Sequence, residues 1–108
     1  MAFQLGSALL EACVLAVVVQ EDAYGYKLTQ EIKQIMDVSE STLYPVLRRL
    51  QKEGFLDTYD QPYQGRNRRY YTITPAGRMQ FEEFWKQWNS FRDNIDRVMN
   101  GGKEHEQR

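Results

Sequence analysis

Apolar residues recur at helical spacing over four stretches of this sequence and at strand spacing over one. The first stretch, from about Gln4 to Val19, is apolar nearly all round, with Leu5, Leu9, Leu10, Cys13, Val14, Leu15, Val17 and Val18 leaving no polar face. Such a helix is buried on more than one side, which in a short chain points to a covering partner subunit. Its Val17-Val18-Val19 end also fits a buried strand, and periodicity does not separate the two. A second helix is expected from about Tyr24 to Met36, with Leu28, Ile32 and Ile35 as its inward stripe and Gly25 tolerable in its first turn.

Asp37-Val38-Ser39 makes the turn into a third helix, capped by Ser39 or Ser41. Pro45 bears on that choice: with Ser41 as cap it falls in the first turn, whereas Ser39 as cap costs a hydrogen bond and bends the helix. Leu43, Leu47 and Leu50 point inward, Thr42, Tyr44, Pro45, Arg48, Arg49 and Lys52 face out, and Gly54 stops the helix. The period then changes to two. Phe55 to Tyr59 reads as a strand, Asp60 to Asn67 as a loop holding Pro62 and Gly65, and Arg68 to Ile73 as the returning strand. Tyr71 and Ile73 take the core face of that strand; Arg68, Tyr70 and Thr72 take the other. Thr74-Pro75 opens a last helix, with Thr as N-cap and Pro at the first helical position. Along it Phe81, Phe84, Trp88, Phe91, Ile95 and Val98 alternate steps of three and four, the seam of a coiled coil. Gly101 and Gly102 are read as its end, after about Met99, and 101–108 as a disordered polar tail.

At 108 residues, 42% hydrophobic and 27% charged, the chain has one globular domain's worth of sequence. A net charge of -1 hides an uneven distribution. No Asp or Glu occurs from Gln61 to Phe81, a stretch that holds Arg66, Arg68, Arg69 and Arg78, and Arg48, Arg49 and Lys52 lie just upstream. A local basic patch of this kind steers nucleic acid to one surface of an otherwise neutral protein. The single cysteine, Cys13, excludes an internal disulfide and a cysteine-built zinc site, and its apolar setting reads as a buried, inert thiol. With one histidine, His105, in the tail, no Cys/His pair and no phosphate-binding glycine loop, the residues for catalysis are missing, and no cofactor or metal is expected. The apolar stretch Leu9 to Val19 contains Glu11, has no Lys or Arg ahead of it, and falls short of the ~20 residues that span a bilayer. A cytoplasmic protein without a membrane partner is expected.

The outward face of the third helix gathers hydroxyls, a tyrosine and two long cations: Ser41, Thr42, Tyr44, Arg48 and Lys52. The hairpin adds Gln64, Arg66, Asn67 and Arg68, suited to phosphates or a narrow minor groove. At the start of the second helix Lys27 can reach a phosphate, while Tyr24 and Tyr26 fit packing equally well. Each group has a plain counterpart. Any amphipathic helix has a solvated face, positive charge keeps hairpin edges apart, and Arg68 or Arg69 could pair with a nearby carboxylate. A protein-interaction module on the same fold is the alternative, which binding to random DNA discriminates. The fold class is mainly α with a small β-hairpin (α+β): a winged helix-turn-helix with a long C-terminal dimerisation helix, its double-stranded DNA partner met by the third helix and the wing.

The motifs Tyr24-Gly25-Tyr26, Ser41-Thr-Leu-Tyr-Pro-Val-Leu-Arg-Arg-Leu50, Glu53-Gly54 and Arg68-Arg-Tyr-Tyr-Thr-Ile-Thr-Pro-Ala-Gly77 together resemble the PadR family of bacterial transcriptional regulators, over about Leu5 to Arg78. The single C-terminal helix is similar to the family's small subgroup. The resemblance implies a DNA-binding domain over 1–78, a dimerisation helix over 79–100, and a homodimer in which the last helix meets the partner's first helix. Leu9, Cys13, Phe81, Phe84, Trp88, Phe91, Ile95 and Val98 would then form the interface. It implies repression at a palindromic operator, and a planar aromatic effector held between paired tryptophans, where Trp88 takes the matching position.

Overall fold

The computed structural model describes residues 6–107. Helix α1 is Gly6–Gln20, so the Val17–Val19 run is helical; the expected start near Gln4, with Leu5, lies outside the described residues. Leu10, Val14, Leu15 and Val18 of α1 are buried, while Leu9, Cys13 and Val17 on its other side are only partly covered. A two-residue strand, β1 (Ala23–Tyr24), follows, then helix α2 (Gly25–Lys33) and helix α3 (Glu40–Lys52). Strands β2 (Leu56–Tyr63) and β3 (Arg66–Ile73) form the hairpin, and β1 adds to the free side of β3, giving an antiparallel sheet in the order β1-β3-β2. Helix α4, Pro75–Glu106, closes the chain with 32 residues.

The core is built from Leu10, Val14, Leu15 and Val18 of α1, Leu28 and Ile32 of α2, and Leu43, Val46, Leu47 and Leu50 of α3, roofed by Leu56 and Tyr71 of the sheet. Among the described residues it is apolar except for Thr29, whose hydroxyl donates to the Gly25 carbonyl 2.9 Å away.

Several expectations shift. Ile35 is not part of the α2 stripe: the helix ends at Lys33, one turn early, and Ile35 is 67% exposed in the turn that follows. The α3 cap is Ser39, whose Oγ accepts from the Thr42 N–H at 3.3 Å, so Pro45 sits inside the helix rather than in its first turn. Pro45 lies on the exposed side, where solvent can satisfy the carbonyl it leaves unpaired. At the other end Gly54, at φ 82°, closes α3: its N–H reaches the Gln51 carbonyl and that of Phe55 reaches Leu50.

The expected eight-residue loop shrinks to two residues. Asp60 to Tyr63 pair with Arg66 to Arg69, and the chain reverses at Gln64-Gly65, both at positive φ (52° and 78°), the combination that suits a right-handed hairpin twist. Pro62 did not break the strand because β2 is an edge strand, where a missing N–H need not cost a ladder bond. Nor do Gly101 and Gly102 end α4. Neither takes a positive φ, and the helix runs through both to Glu106, so the tail expected to be disordered is helical as far as that residue.

Candidate nucleic-acid interface

Ser39 as cap gathers three hydroxyls at the start of α3: its Oγ lies 2.8 Å from that of Ser41 and 3.2 Å from Oγ1 of Thr42. Ser41, Thr42, Pro45, Arg48 and Lys52 are all exposed there. Tyr44 differs from the expectation of an outward residue: it is half-buried and lies over Gly25, where a Cβ would come within 3.1 Å of its ring. Gly25 therefore lets α2 and α3 approach closely, and Tyr44 lines a cleft rather than projecting. Arg49 is turned the other way, its Nε donating to Glu11 of α1 at 2.7 Å, so it braces α3 against α1.

Register divides the hairpin into two faces. Leu56, Tyr71 and Ile73 face the core, and further out on that side Arg69 pairs with Asp60 at 3.5 Å, directly across the strands. The nearby-carboxylate alternative thus applies to Arg69. The opposite face carries a row of tyrosines. Tyr59 and Tyr70 stack at 5.5 Å, and Tyr24 of β1 meets Tyr70 edge-on at 5.6 Å. The Tyr59 hydroxyl donates to Asp22 at 2.6 Å, which pushes its pKa up to about 12 because the bond needs the protonated phenol. Arg68 sits between two more rings, its guanidinium carbon 4.0 Å from the centre of Tyr24 and 3.4 Å from that of Tyr63. At the tip Gln64, Arg66 and Asn67 are exposed.

These parts meet. An open cleft of about 460 Å³ between α3 and the wing is lined by Tyr44, Arg48 and Gln51 on one side and Arg68 and Arg69 on the other, and Arg68 also borders the recess at the wing tip with Tyr63 and Arg66. Among the described residues no carboxylate lines either. Lys27 stands apart: it is ion-paired with Glu21, so its charge is already matched within the chain. Gln51 and Tyr63 also line this surface and carry no signal in the sequence, Tyr63 because an assumed loop gives it no register; Tyr24, for which packing and a phosphate contact fit the sequence equally well, lines the cleft too.

A second surface lies between α1 and α4. Phe81 and Phe84 pack onto the chain's own core together with Cys13, whose thiol burial pushes upward in pKa. Beyond them α4 leaves the body, and Trp88 (36%), Phe91, Ile95 and Val98 (73%) are exposed along one seam. Trp88 edges a nearly all-apolar groove with Leu9, Ala12, Phe84 and Phe91. Among the described residues no helix is long and apolar enough to cross a membrane, and no His, Cys, Asp or Glu cluster could hold a metal.

Residues 14–83 match the model of the transcriptional regulator PadR-like family. The chain belongs to that family. A solved structure from Streptococcus mutans UA159 superposes with a TM-score of 0.88 at 40% identity, covering 94% of this chain and 95% of the other. A PadR-like transcriptional regulator from Bacillus cereus gives 0.80 at 33% identity, covering 86% and 93%. Bacillus subtilis PadR, solved with operator DNA, shares the fold at a TM-score of 0.64 and 23% identity over 70% of this chain and 46% of its own. This PadR-like chain is accordingly a transcriptional regulator and not an enzyme, and the order of four helices with a three-stranded antiparallel sheet is that of its winged-helix relatives.

Proposed function

We propose that this chain is a homodimeric, DNA-binding repressor of the cytoplasm. The observation that carries the reading is the arginine-lined cleft between α3 and the wing, continued by the recess at the wing tip, with no carboxylate in either lining among the described residues. On these and the exposed face of α3, Ser41, Thr42 and Arg48 are suited to base edges, and Lys52, Arg66, Arg68 and Asn67, with Gln64, to phosphates. The operator-bound Bacillus subtilis relative supports the same use of the fold. Residues 1–78 then serve DNA and 79–100 pairing. Two copies joined along the bare α4 seam present two α3 helices to the half-sites of a palindrome, about 34 Å apart. Trp88 and its symmetry mate would offer a slot for a planar aromatic effector, which regulates only if it binds one dimer form better than the other.

Salt-dependent binding tests the reading. Arg66→Ala removes a phosphate charge, so binding to specific and random duplexes falls alike and the salt slope shrinks by about 0.9 per contact. Thr42→Ala weakens a selected operator more than random DNA. Equal losses from both variants on both duplexes would remove α3 as the reader, and a chain that ignores duplex DNA at low salt would leave a protein-interaction module.

A further inference from the structure

The Arg68 guanidinium packs against two tyrosine rings. Its central carbon lies 3.4 Å from the centre of the Tyr63 ring and 4.0 Å from that of Tyr24, and at such distances a flat approach avoids driving an amino group into either ring. The two rings come from different elements: Tyr63 ends β2 and Tyr24 belongs to β1, which is hydrogen-bonded to β3 next to Arg68 itself. Tyr24 is in turn fixed edge-on by Tyr70, which stacks on Tyr59, and the Tyr59 hydroxyl is tied to Asp22. No carboxylate pairs with Arg68 among the described residues, in contrast to Arg49 with Glu11 and Arg69 with Asp60. Its charge has no carboxylate partner, two rings pack against it, and hydrogen bonding to the Tyr70 and Tyr63 hydroxyls holds its pKa above the ordinary value, which leaves the rest of its five N–H donors for a ligand.

We infer that Tyr24 and Tyr63 are positioning residues that hold Arg68 as a preset fork for one phosphate of the DNA backbone. The inference rests on the DNA-binding reading and adds to it the device that orients the contact. An arginine on a mobile hairpin loses side-chain freedom on binding, whereas one already clamped has less to lose. The location fits, because Arg68 borders both the α3 cleft and the tip recess, the two places between which a phosphate backbone would pass. The uncharged rings should thus control an electrostatic contact in which they take no direct part.

The test is fluorescence anisotropy of the full chain with a random-sequence duplex over a range of salt concentrations. Arg68→Ala is expected to shrink the salt slope by about 0.9 for each wing. Arg68→Lys keeps the charge and hence the slope, but binds more weakly because an ammonium lacks the fork. Tyr63→Ala is expected to weaken binding about 3-fold, the size of an exposed cation–π contact, and to do nothing further in an Arg68→Ala background. Tyr63→Phe retains the ring and loses only the hydroxyl, so its affinity should stay closer to wild type than that of Tyr63→Ala. Tyr63 is a half-exposed residue at the wing tip, so these variants should melt with the wild type. Equal losses from Tyr63→Ala with and without Arg68, or no loss in either, would overturn the clamp while leaving DNA binding intact. An unchanged salt slope in Arg68→Ala would overturn the phosphate contact. Absence of salt-dependent binding by the wild type would instead sink the DNA-binding reading itself.

Discussion

At Gly77 a Cβ would lie 2.1 Å from the Phe55 carbonyl oxygen and 2.8 Å from Cγ1 of Ile73, so backbone would have to move to admit a methyl group. Gly77→Ala is therefore expected to lower stability by about 3 kcal/mol in urea unfolding, at the upper end for overpacking, although alanine is the better helix former. Tyr59 gives a pH signature. Its phenol is raised from an ordinary 10 to about 12 by the bond to Asp22, so the stability it contributes is complete below pH 10 and is lost as pH rises through 12. Burial also raises the Tyr71 phenol, so ultraviolet titration should show a late tyrosine phase, and the part of it owed to Tyr59 should move to lower pH in Asp22→Asn. Residue chemistry was legible in the sequence where one side chain decided it, as at Thr74, Pro75 and Gly54. It was not legible where a distant neighbour decided it. Nothing near Arg49 announces Glu11, 38 positions away, and nothing near Tyr24 announces Arg68.

Elements followed their periods well and their boundaries poorly. All four helices and the hairpin were legible, because the apolar stripes of α2, α3 and α4 have no strand counterpart. Three ends misled for a common reason: Pro45, Pro62 and the Gly101-Gly102 pair are breakers by composition, yet each sits where breaking is cheap. Pro45 and Pro62 face solvent or a free edge, and the glycines lie on an exposed helix with nothing within 4 Å of a built Cβ. The two-residue β1 was too short to carry any period. The glycines offer a clear experiment. Gly101→Ala with Gly102→Ala should stabilise the end of α4 by up to about 1 kcal/mol each and increase helical circular dichroism without altering the fold. A drop in helicity would mean that the helix ends before Gly101.

The molecule is 65 Å long and only 28 and 20 Å across, a shape set by α4 extending from the winged-helix body with its apolar seam uncovered. If that seam pairs two copies, Trp88→Asp places a charge in a desolvated contact at a cost of several kcal/mol. Sedimentation should then show a monomer, and the melting curve should lose its concentration dependence. A dimer that survives the change would put the interface elsewhere. The corner where α4 leaves the body has a mechanical consequence. The Thr74 hydroxyl accepts from the Gly77 N–H and donates to the Gly54 carbonyl at 2.6 Å, and the Thr74 N–H bonds to Phe55, so α4 is riveted to the residues that end α3. At 1.5 Å per residue α4 is a lever about 48 Å long. The exposed seam at Trp88 to Val98 lies about 21 to 36 Å along it from the joint, so a tilt of roughly 5 to 9° at the seam would displace the α3 end by about 3.4 Å, one base-pair step of the helix that α3 would read. In a dimer paired along that seam, a joint tied by these three hydrogen bonds would turn a change of a few degrees between the copies into the difference between being in and out of step with the DNA.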